Sequence, residues 1–216
     1  MMKMSDNDFM KTGTTTLGIV CKDGIVMGAD RRATAGHLIA NKKAMKVIPL
    51  TDKIWVTMAG TVSDAQLLIR LAQAELRLKR IRTGRSSTIE EAANFLARLV
   101  YNNLRKPSVV PGISHFLVGG YDHTGFYLYD IFPDGTITKI DDFVSSGSGS
   151  VMVYGVLETL YKPEITTEKG VPLAVKSINA ALQRDSASGN GIDVVVITKD
   201  SAKKVFEREI KTSIEI

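Results

Sequence analysis

The stretch "KTGTTTLGIVCKDGIVMGAD", residues 11–30, contains the two neighbouring runs that decide the reading of the fold. Residues 14–21 and 25–30 are mostly β-branched or apolar, which favours extended strands. Between them, Lys22-Asp23-Gly24 includes an Asp-Gly pair, which is a strong signal for a tight hairpin turn. A strand accounts for the three threonines at 14–16. It does not explain why the polar tail ends abruptly at a lone Gly13.

The rest of the sequence predicts groups of strands that alternate with pairs of helices. Short apolar runs between turn residues predict strands over 42–50, 53–60, 113–121, 125–131, 136–140, 192–200 and 203–210. Apolar residues at helical spacing predict helices from about Ser63, from a capping box of Ser87 and Glu90, over 151–161 and over roughly 167–183. Hairpin links favour antiparallel sheets with helices on their outer faces, so we predict one domain, an α+β layered sandwich.

The composition is that of a soluble globular protein, with 44% hydrophobic and 24% charged residues. No apolar run approaches the ~18 residues that a membrane-spanning helix needs. The first thirteen residues carry Asp6 and Asp8 and have no apolar segment of the secretory type. The single cysteine, Cys21, excludes an internal disulfide and fits a reducing compartment. We therefore expect a cytoplasmic protein without a membrane contact.

The net charge of +5 raises nucleic acid as a partner. The densest basic segment, "RLKRIRTGR" at 77–85, closes a predicted helix, where cations are favoured by the helix dipole. No aromatic residues alternate with these cations, and the sequence has no known nucleic-acid motif. A solvated helix end or a subunit contact is the better interpretation.

Several common catalytic patterns are missing from the sequence. The three histidines, His37, His115 and His123, have no metal-ligand spacing, so neither a metal nor another cofactor is expected. No G-x-S-x-G motif of a serine hydrolase is present. The run "SGSGS" at 146–150 precedes a predicted helix and could hold a phosphate, but the Lys-Ser/Thr of a phosphate-binding loop does not follow it.

Lys46 is a more informative residue. In an extended chain it shares a face with Ala44 and Ile48, so its ammonium either reaches solvent or pairs with a buried carboxylate. Asp30, at the end of the second strand, is the candidate partner.

A glycine also lies in the next predicted strand, where Met58, Gly60 and Val62 share a face. A strand glycine lets a ligand or another backbone approach closely. Farther on, "QRDSASG" at 183–189 places Asp185, Ser186 and Ser188 in a turn; taken alone, this segment indicates only the end of a helix.

Together these segments resemble the β subunits of the proteasome core particle, of the archaeal type. The resemblance runs from Thr14 to about Lys199 and rests on segments in the expected order: Gly13-Thr14, "ADRR" at 29–32, Lys46, "MAG" at 58–60, "GSGS" at 147–150, "YGVLE" at 154–158 and "QRDSASG" at 183–189.

The resemblance implies an N-terminal-nucleophile hydrolase, with a four-layer αββα sandwich and threonine endopeptidase activity. It implies that the chain cuts itself between Gly13 and Thr14, which removes residues 1–13 as a propeptide and leaves one domain, 14–216. The freed α-amine has a pKa of about 7.7–8.0, so Thr14 supplies both a nucleophile and a base.

The same resemblance assigns roles to other residues. Lys46 lies beside Thr14 and is held by Asp30, and the backbone N–H of Gly60 stabilises the oxyanion. A polar shell around the new N-terminus consists of Ser148, Asp185 and Ser188. Thr15 and Thr16 are expected to be ordinary strand residues.

The implied substrate is unfolded polypeptide, bound as an added strand next to Thr34. Side-chain preference is assigned to Ala33, Ala44, Ile48, Met58, Val62 and Gln66. All but the last are apolar, so we expect cleavage after hydrophobic residues.

The implied assembly is a seven-membered ring of β subunits stacked on rings of α subunits, through which a regulatory ATPase feeds substrate. Two other interpretations are open at this point. The chain could be an unprocessed β subunit with a structural role in ring assembly, or a module that binds nucleotides or nucleic acid through "SGSGS" and its positive charge.

Overall fold

A computed structural model describes residues 13–109 and 111–210. The strands are β1 (Thr16–Cys21), β2 (Gly24–Asp30), β3 (Ala33–Ala35), β4 (Leu38–Asn41), β5 (Val47–Pro49), β6 (Ile54–Gly60), β7 (Ser114–Asp122), β8 (Gly125–Ile131), β9 (Ile137–Ile140), β10 (Phe143–Ser146), β11 (Gly191–Ile197) and β12 (Ala202–Glu209). The helices are α1 (Val62–Thr83), α2 (Ile89–Leu104), α3 (Ser150–Leu160) and α4 (Thr167–Arg184).

Two five-stranded antiparallel sheets form the centre of the molecule. The first has the strand order β10-β1-β2-β11-β12, and the second has the order β5-β6-β7-β8-β9. The predicted hairpin is present in the first sheet, because Cys21 pairs with Gly24 across a two-residue turn. Among the described residues, the short strands β3 and β4 pair only with each other.

Three apolar layers hold the sheets and helices together. Helices α1 and α2 pack on the outer face of the second sheet, around Leu68, Leu96 and Phe116. Helices α3 and α4 cover the first sheet. Side chains such as Met27 and Leu117 fill the space between the two sheets. Burying these side chains is the main favourable term of folding, and the result is the predicted αββα sandwich.

The helix boundaries differ from the predictions in one instructive place. The capping box at the start of α2 is formed by Thr88 and Glu91, not by Ser87 and Glu90. The Thr88 hydroxyl accepts from the Glu91 N–H, and the Glu91 carboxylate accepts from the Thr88 N–H. Ser87 and Glu90 have the same three-residue spacing as Thr88 and Glu91, so the spacing alone could not show which pair forms the capping box.

The strands also differ from the predictions. Val62 is not on the face of a strand with Met58, because β6 ends at Gly60 and Val62 opens α1. The strand expected over 42–50 is limited to β5. Three short strands, β3, β4 and β10, were not predicted.

Helix α1 ends as its sequence indicates. Gly84 follows the helix in the left-handed conformation, with φ of 69°, and its N–H donates to the Arg80 carbonyl. Arg80 and Arg82 lie in the last turn, where they complement the helix dipole. No helix in the described ranges is long and apolar enough to cross a membrane.

Candidate active site

Four chain segments meet at one end of the first sheet. They are the residues just before β1, the end of β2, the turn from β10 into α3, and the loop from α4 into β11. The antiparallel pairing sets Thr16 opposite Ala29 and opposite Ser146, and it sets Asp30 opposite Ile192. The predicted residues Thr14, Asp30, Ser148 and Asp185 are therefore neighbours, although up to 171 positions separate them in the sequence.

Thr14 is only 5% exposed in the intact chain. Its hydroxyl donates a hydrogen bond to the carbonyl oxygen of Gly13 at 2.7 Å. Its backbone N–H points toward the Ser148 hydroxyl, 3.2 Å away. The side chain of Thr14 therefore lies against the peptide bond that precedes it.

Gly13 fits a space that excludes a side chain. A Cβ at this position would overlap the Cβ of Ala187. The Gly13 N–H donates to the Thr34 hydroxyl at 3.0 Å, and this contact is buried. Glycine is therefore required here by close packing, which explains the boundary seen in the sequence.

Asp30 and Lys46 form the ion pair that the sequence suggested. Lys46 Nζ lies 2.7 Å from Oδ1 of Asp30, and the two side chains are 3% and 0% exposed. Oδ1 also accepts the N–H of Thr15 at 2.9 Å. Sharing one oxygen brings the ammonium close to the backbone beside Thr14.

Burial lowers the pKa of Lys46 below its ordinary value, and the neighbouring Asp30 carboxylate offsets part of this effect. The Asp30 carboxylate 2.7 Å away favours the charged ammonium. Lys46 therefore presents a positive charge beside the backbone that follows Thr14.

Asp185 is the centre of a second polar group. Its Oδ2 accepts hydrogen bonds from the hydroxyls of Ser148 and Ser188, each at 2.6 Å. Its Oδ1 accepts the N–H of Ala187 at 3.1 Å. Ser148 thus connects the Asp185 carboxylate to the backbone N–H of Thr14.

The "SGSGS" segment surrounds the Thr14–Thr15 backbone. Gly147 has φ of 94°, and a Cβ there would overlap the Thr14 carbonyl oxygen. A Cβ on Gly149 would overlap the Thr15 hydroxyl. The glycines of this segment therefore allow close approach of another part of the same chain.

Gly60 ends β6 with φ of 100°, a conformation that favours glycine. A Cβ there would also overlap the carbonyl oxygen of Ile113. The structure explains why this residue is glycine, and its role toward an oxyanion stays a prediction.

The site thus consists of a buried threonine after a glycine, with an Asp-Lys pair on one side and a Ser-Asp-Ser group on the other. A family model described as "Proteasome subunit" matches residues 10–197. The chain belongs to the proteasome subunit family.

Relatives of this chain in the proteasome subunit family are β subunits. The chain is 43% identical over 208 residues to "Proteasome subunit beta" of Methanosphaerula palustris, covering 96% of each chain. It is 42% identical over 207 residues to the protein of that name in Methanosarcina mazei, covering 96% of this chain and 97% of the relative. The corresponding protein of Ferroglobus placidus is 43% identical over 209 residues, covering 97% and 98%. The predicted family, that of the proteasome core β subunits, is confirmed.

The residues predicted to contact substrate in this proteasome subunit lie in different environments. Ala33, Ala44 and Met58 are buried, and Gln66 is exposed on α1. Ile48 and Val62 are partly buried and pack with Met58 in the apolar layer under α1 and α2. Thr34 contacts Gly13, as described above. Their role toward substrate stays a prediction.

Arg32 and Thr15 make contacts at the site that were not predicted. The N–H of Arg32 donates to Oδ2 of Asp30, and its guanidinium donates to the Ser186 carbonyl and to Asn190. Thr15, expected to be an ordinary strand residue, lies before β1 and places its hydroxyl 2.6 Å from that of Ser188. Arg32 belongs to the "ADRR" segment, which is part of the family resemblance, so the sequence drew attention to its position. No local signal in the sequence distinguished Thr15 from its neighbours.

Proposed function

We propose that this chain is a threonine endopeptidase that activates itself by cutting between Gly13 and Thr14. The observation that carries the proposal is the 2.7 Å hydrogen bond from the Thr14 hydroxyl to the Gly13 carbonyl oxygen. It holds the nucleophile on the one peptide bond whose cleavage would make Thr14 an N-terminus. Residues 1–12 of the proposed propeptide lie outside the described residues.

The proposed self-cleavage is an acyl transfer from the nitrogen of Thr14 to its hydroxyl oxygen. Thr14 Oγ1 attacks the carbonyl carbon of Gly13 and loses its proton, the Gly13–Thr14 C–N bond breaks, and the departing nitrogen takes up a proton. The product is an ester between Gly13 and Thr14 Oγ1. Water then hydrolyses this ester, which releases residues 1–13 with a carboxyl terminus and leaves Thr14 with a free amine and a free hydroxyl.

The same residues would then hydrolyse peptide substrates. The new α-amine takes the hydroxyl proton, because its pKa of about 7.7–8.0 is close to neutrality. The positive charge of Lys46 would lower that pKa further, and Asp30 holds Lys46 in place. The Gly60 N–H would stabilise the oxyanion, a contribution of about 3 kcal/mol for one donor. Ser148, Asp185 and Ser188 would orient the amine.

The proposed substrate is unfolded polypeptide, bound as an added strand beside Thr34 and cut after hydrophobic residues. Ala33, Ala44, Ile48, Met58 and Val62 support this preference because their side chains are apolar; Gln66 would lie at the edge. A cytoplasmic location is proposed with it.

The proposed assembly is a seven-membered β ring stacked on α-type subunits, with an ATPase acting through the α ring. Helix α1 supports an assembly role, because Leu67, Leu71, Leu78 and Ile81 are exposed at helical spacing along it. An apolar stripe of this kind is typical of a face that packs against another subunit.

The test uses the chain co-assembled with α-type subunits. Intact mass should show the loss of residues 1–13, and fluorogenic peptides with a hydrophobic residue before the cut should be hydrolysed faster than basic or acidic ones. Thr14→Ala should abolish both the loss and the hydrolysis. A full-length, inactive wild-type chain in the assembled particle would instead support the structural role.

A further inference from the structure

We infer that Thr15 is a positioning residue for the reaction of Thr14, acting through Ser188 on the Asp185 carboxylate. The inference rests on the proposed function. It starts from a hydroxyl that is fully buried, with Thr15 0% and Ser188 1% exposed. Their Oγ atoms lie 2.6 Å apart, so one hydroxyl must donate to the other.

The direction of this hydrogen bond follows from its neighbours. Ser188 Oγ already donates its single hydrogen to Oδ2 of Asp185 at 2.6 Å, since an ionised carboxylate only accepts. The Thr15 hydroxyl must therefore be the donor to Ser188. The result is a directed series in which Thr15 donates to Ser188 and Ser188 donates to Asp185.

The series continues to the reacting residue from the other side. Ser148 donates to the same Oδ2 of Asp185, and Ser148 Oγ accepts the N–H of Thr14. Hydrogen bonds in such a series polarise one another. The Thr15–Ser188 bond is the buried end of the series, and Ser148 at the other end is exposed. The network therefore begins at the Thr15 hydroxyl and ends at the backbone nitrogen of Thr14.

The backbone of Thr15 joins this network to the Asp30–Lys46 pair. Its N–H donates to Oδ1 of Asp30 at 2.9 Å, and its carbonyl accepts the N–H of Asp30 at 3.1 Å. Gly149 leaves the room that the Thr15 hydroxyl occupies. One residue therefore holds both polar groups of the site at a set distance from Thr14.

Thr16 offers a matched control. It is also 0% exposed, and its hydroxyl lies 3.0 Å from that of Ser146. The same change, threonine to valine, removes a buried hydroxyl from the next residue, and no hydrogen bond in the described chain links the Thr16–Ser146 pair to Asp185.

The experiment measures kcat and KM for a hydrophobic fluorogenic peptide, per processed subunit as counted by intact mass, in the particle assembled with α-type subunits. Thr15→Val should lower kcat about tenfold with KM within about twofold, because the Ser188–Asp185 contact loses its supporting donor. Thr15→Ser should recover kcat to within about threefold of wild type. Thr16→Val should stay within about twofold.

Dependence on Ser188 separates positioning from a general structural effect. In a Ser188→Ala background, Thr15→Val should lower kcat by less than about twofold, since the residue it acts through is gone. Thr15→Ala serves as a second variant, because its smaller side chain cannot crowd Gly149. It too should lower kcat by less than about twofold in the Ser188→Ala background.

Two results would overturn the inference while leaving the proposed function intact: an active wild type in which Thr15→Val matches Thr16→Val, or full additivity with Ser188→Ala. A wild type without activity, or a Thr14→Ala variant that keeps it, would overturn the proposed function and this inference together.

Discussion

The carboxylate of Asp30 and the ammonium of Lys46 form a buried pair in which the two partners have unequal support. Asp30 accepts three backbone N–H groups, from Thr15, Arg32 and Gly189, each at 2.9 Å, in addition to Lys46 at 2.7 Å. For Lys46 the only side-chain acceptor in the described chain is Asp30. The pair should therefore respond differently to the loss of each member.

Asp30→Asn should be the more damaging change. It leaves the Lys46 ammonium buried without a counter-charge and turns one acceptor oxygen into an NH₂ group that faces backbone donors. We expect a loss of about 3–5 kcal/mol in the free energy of unfolding, or failure to assemble.

Lys46→Met should remove peptidase activity but lower the free energy of unfolding by only about 1–3 kcal/mol, because three backbone amides still hold Asp30. Denaturant unfolding of both variants checks this, and equal losses would contradict it.

The packing at Gly13 predicts a steric block on processing and its rescue. Gly13→Ala places a methyl group on the Cβ of Ala187, so the loss of residues 1–13 should slow by about tenfold or more. Ala187→Gly in the same chain should restore much of the rate by removing the overlapping atom. The time course is read by intact mass. A Gly13→Ala chain that processes at the wild-type rate would show that this packing does not hold the precursor.

The hydroxyl of Thr34 predicts a second effect on processing. It accepts the Gly13 N–H, so Thr34→Val should leave a buried donor without a partner and slow processing about 5- to 30-fold. Thr34→Ser retains the acceptor and should process within about threefold of wild type. Mass measurement on co-assembled particles distinguishes them. If serine and valine slow processing equally, the hydroxyl is not the relevant group.

Asp193 predicts a pH effect on stability. Burial raises the pKa of its carboxyl above the ordinary 3.8, although Lys204 and Arg31 oppose the shift. A raised folded-state pKa stabilises the fold below pH 3.8, and this contribution is lost as the pH rises through the folded pKa. Asparagine does not titrate, so Asp193→Asn does not lose this contribution. Its free energy of unfolding relative to wild type should therefore increase from pH 4 to pH 7, by about 1.4 kcal/mol for each pH unit by which the folded-state pKa of Asp193 exceeds 3.8. Thermal unfolding across this range is the measurement, and a relative decrease would contradict the prediction.

The parts of the structure that follow local rules could be read from the sequence. The hairpin between β1 and β2 and the order of the longer strands and helices depend on turn chemistry and periodicity, although the two turn residues are Lys22-Asp23 and Gly24 already belongs to β2. Periodicity marked Lys46 but left it open between solvent and Asp30, and the family resemblance assigned the pair. The four-layer arrangement came from the family resemblance and agreed with that order.

The parts that depend on distant neighbours could not be read in this way. Strands β3, β4 and β10 have three or four residues each, too few to show a period, and they exist because a partner strand lies beside them. The Thr15 hydroxyl meets Ser188 across 173 positions. Ser87 and Thr88 are adjacent hydroxyl residues, and only the entry of the chain into α2 decides which one caps it.

The contacts of Thr15 have a consequence for how the proposed activation proceeds. Its N–H, carbonyl and hydroxyl are each held by partners that lie on the domain side of the Gly13–Thr14 bond. Cutting that bond breaks none of these three contacts. The framework around Thr14 therefore already exists before the cut. Activation would change one covalent bond and leave the fold as it is, so the chemical step, and not a refolding step, should set the pace of maturation.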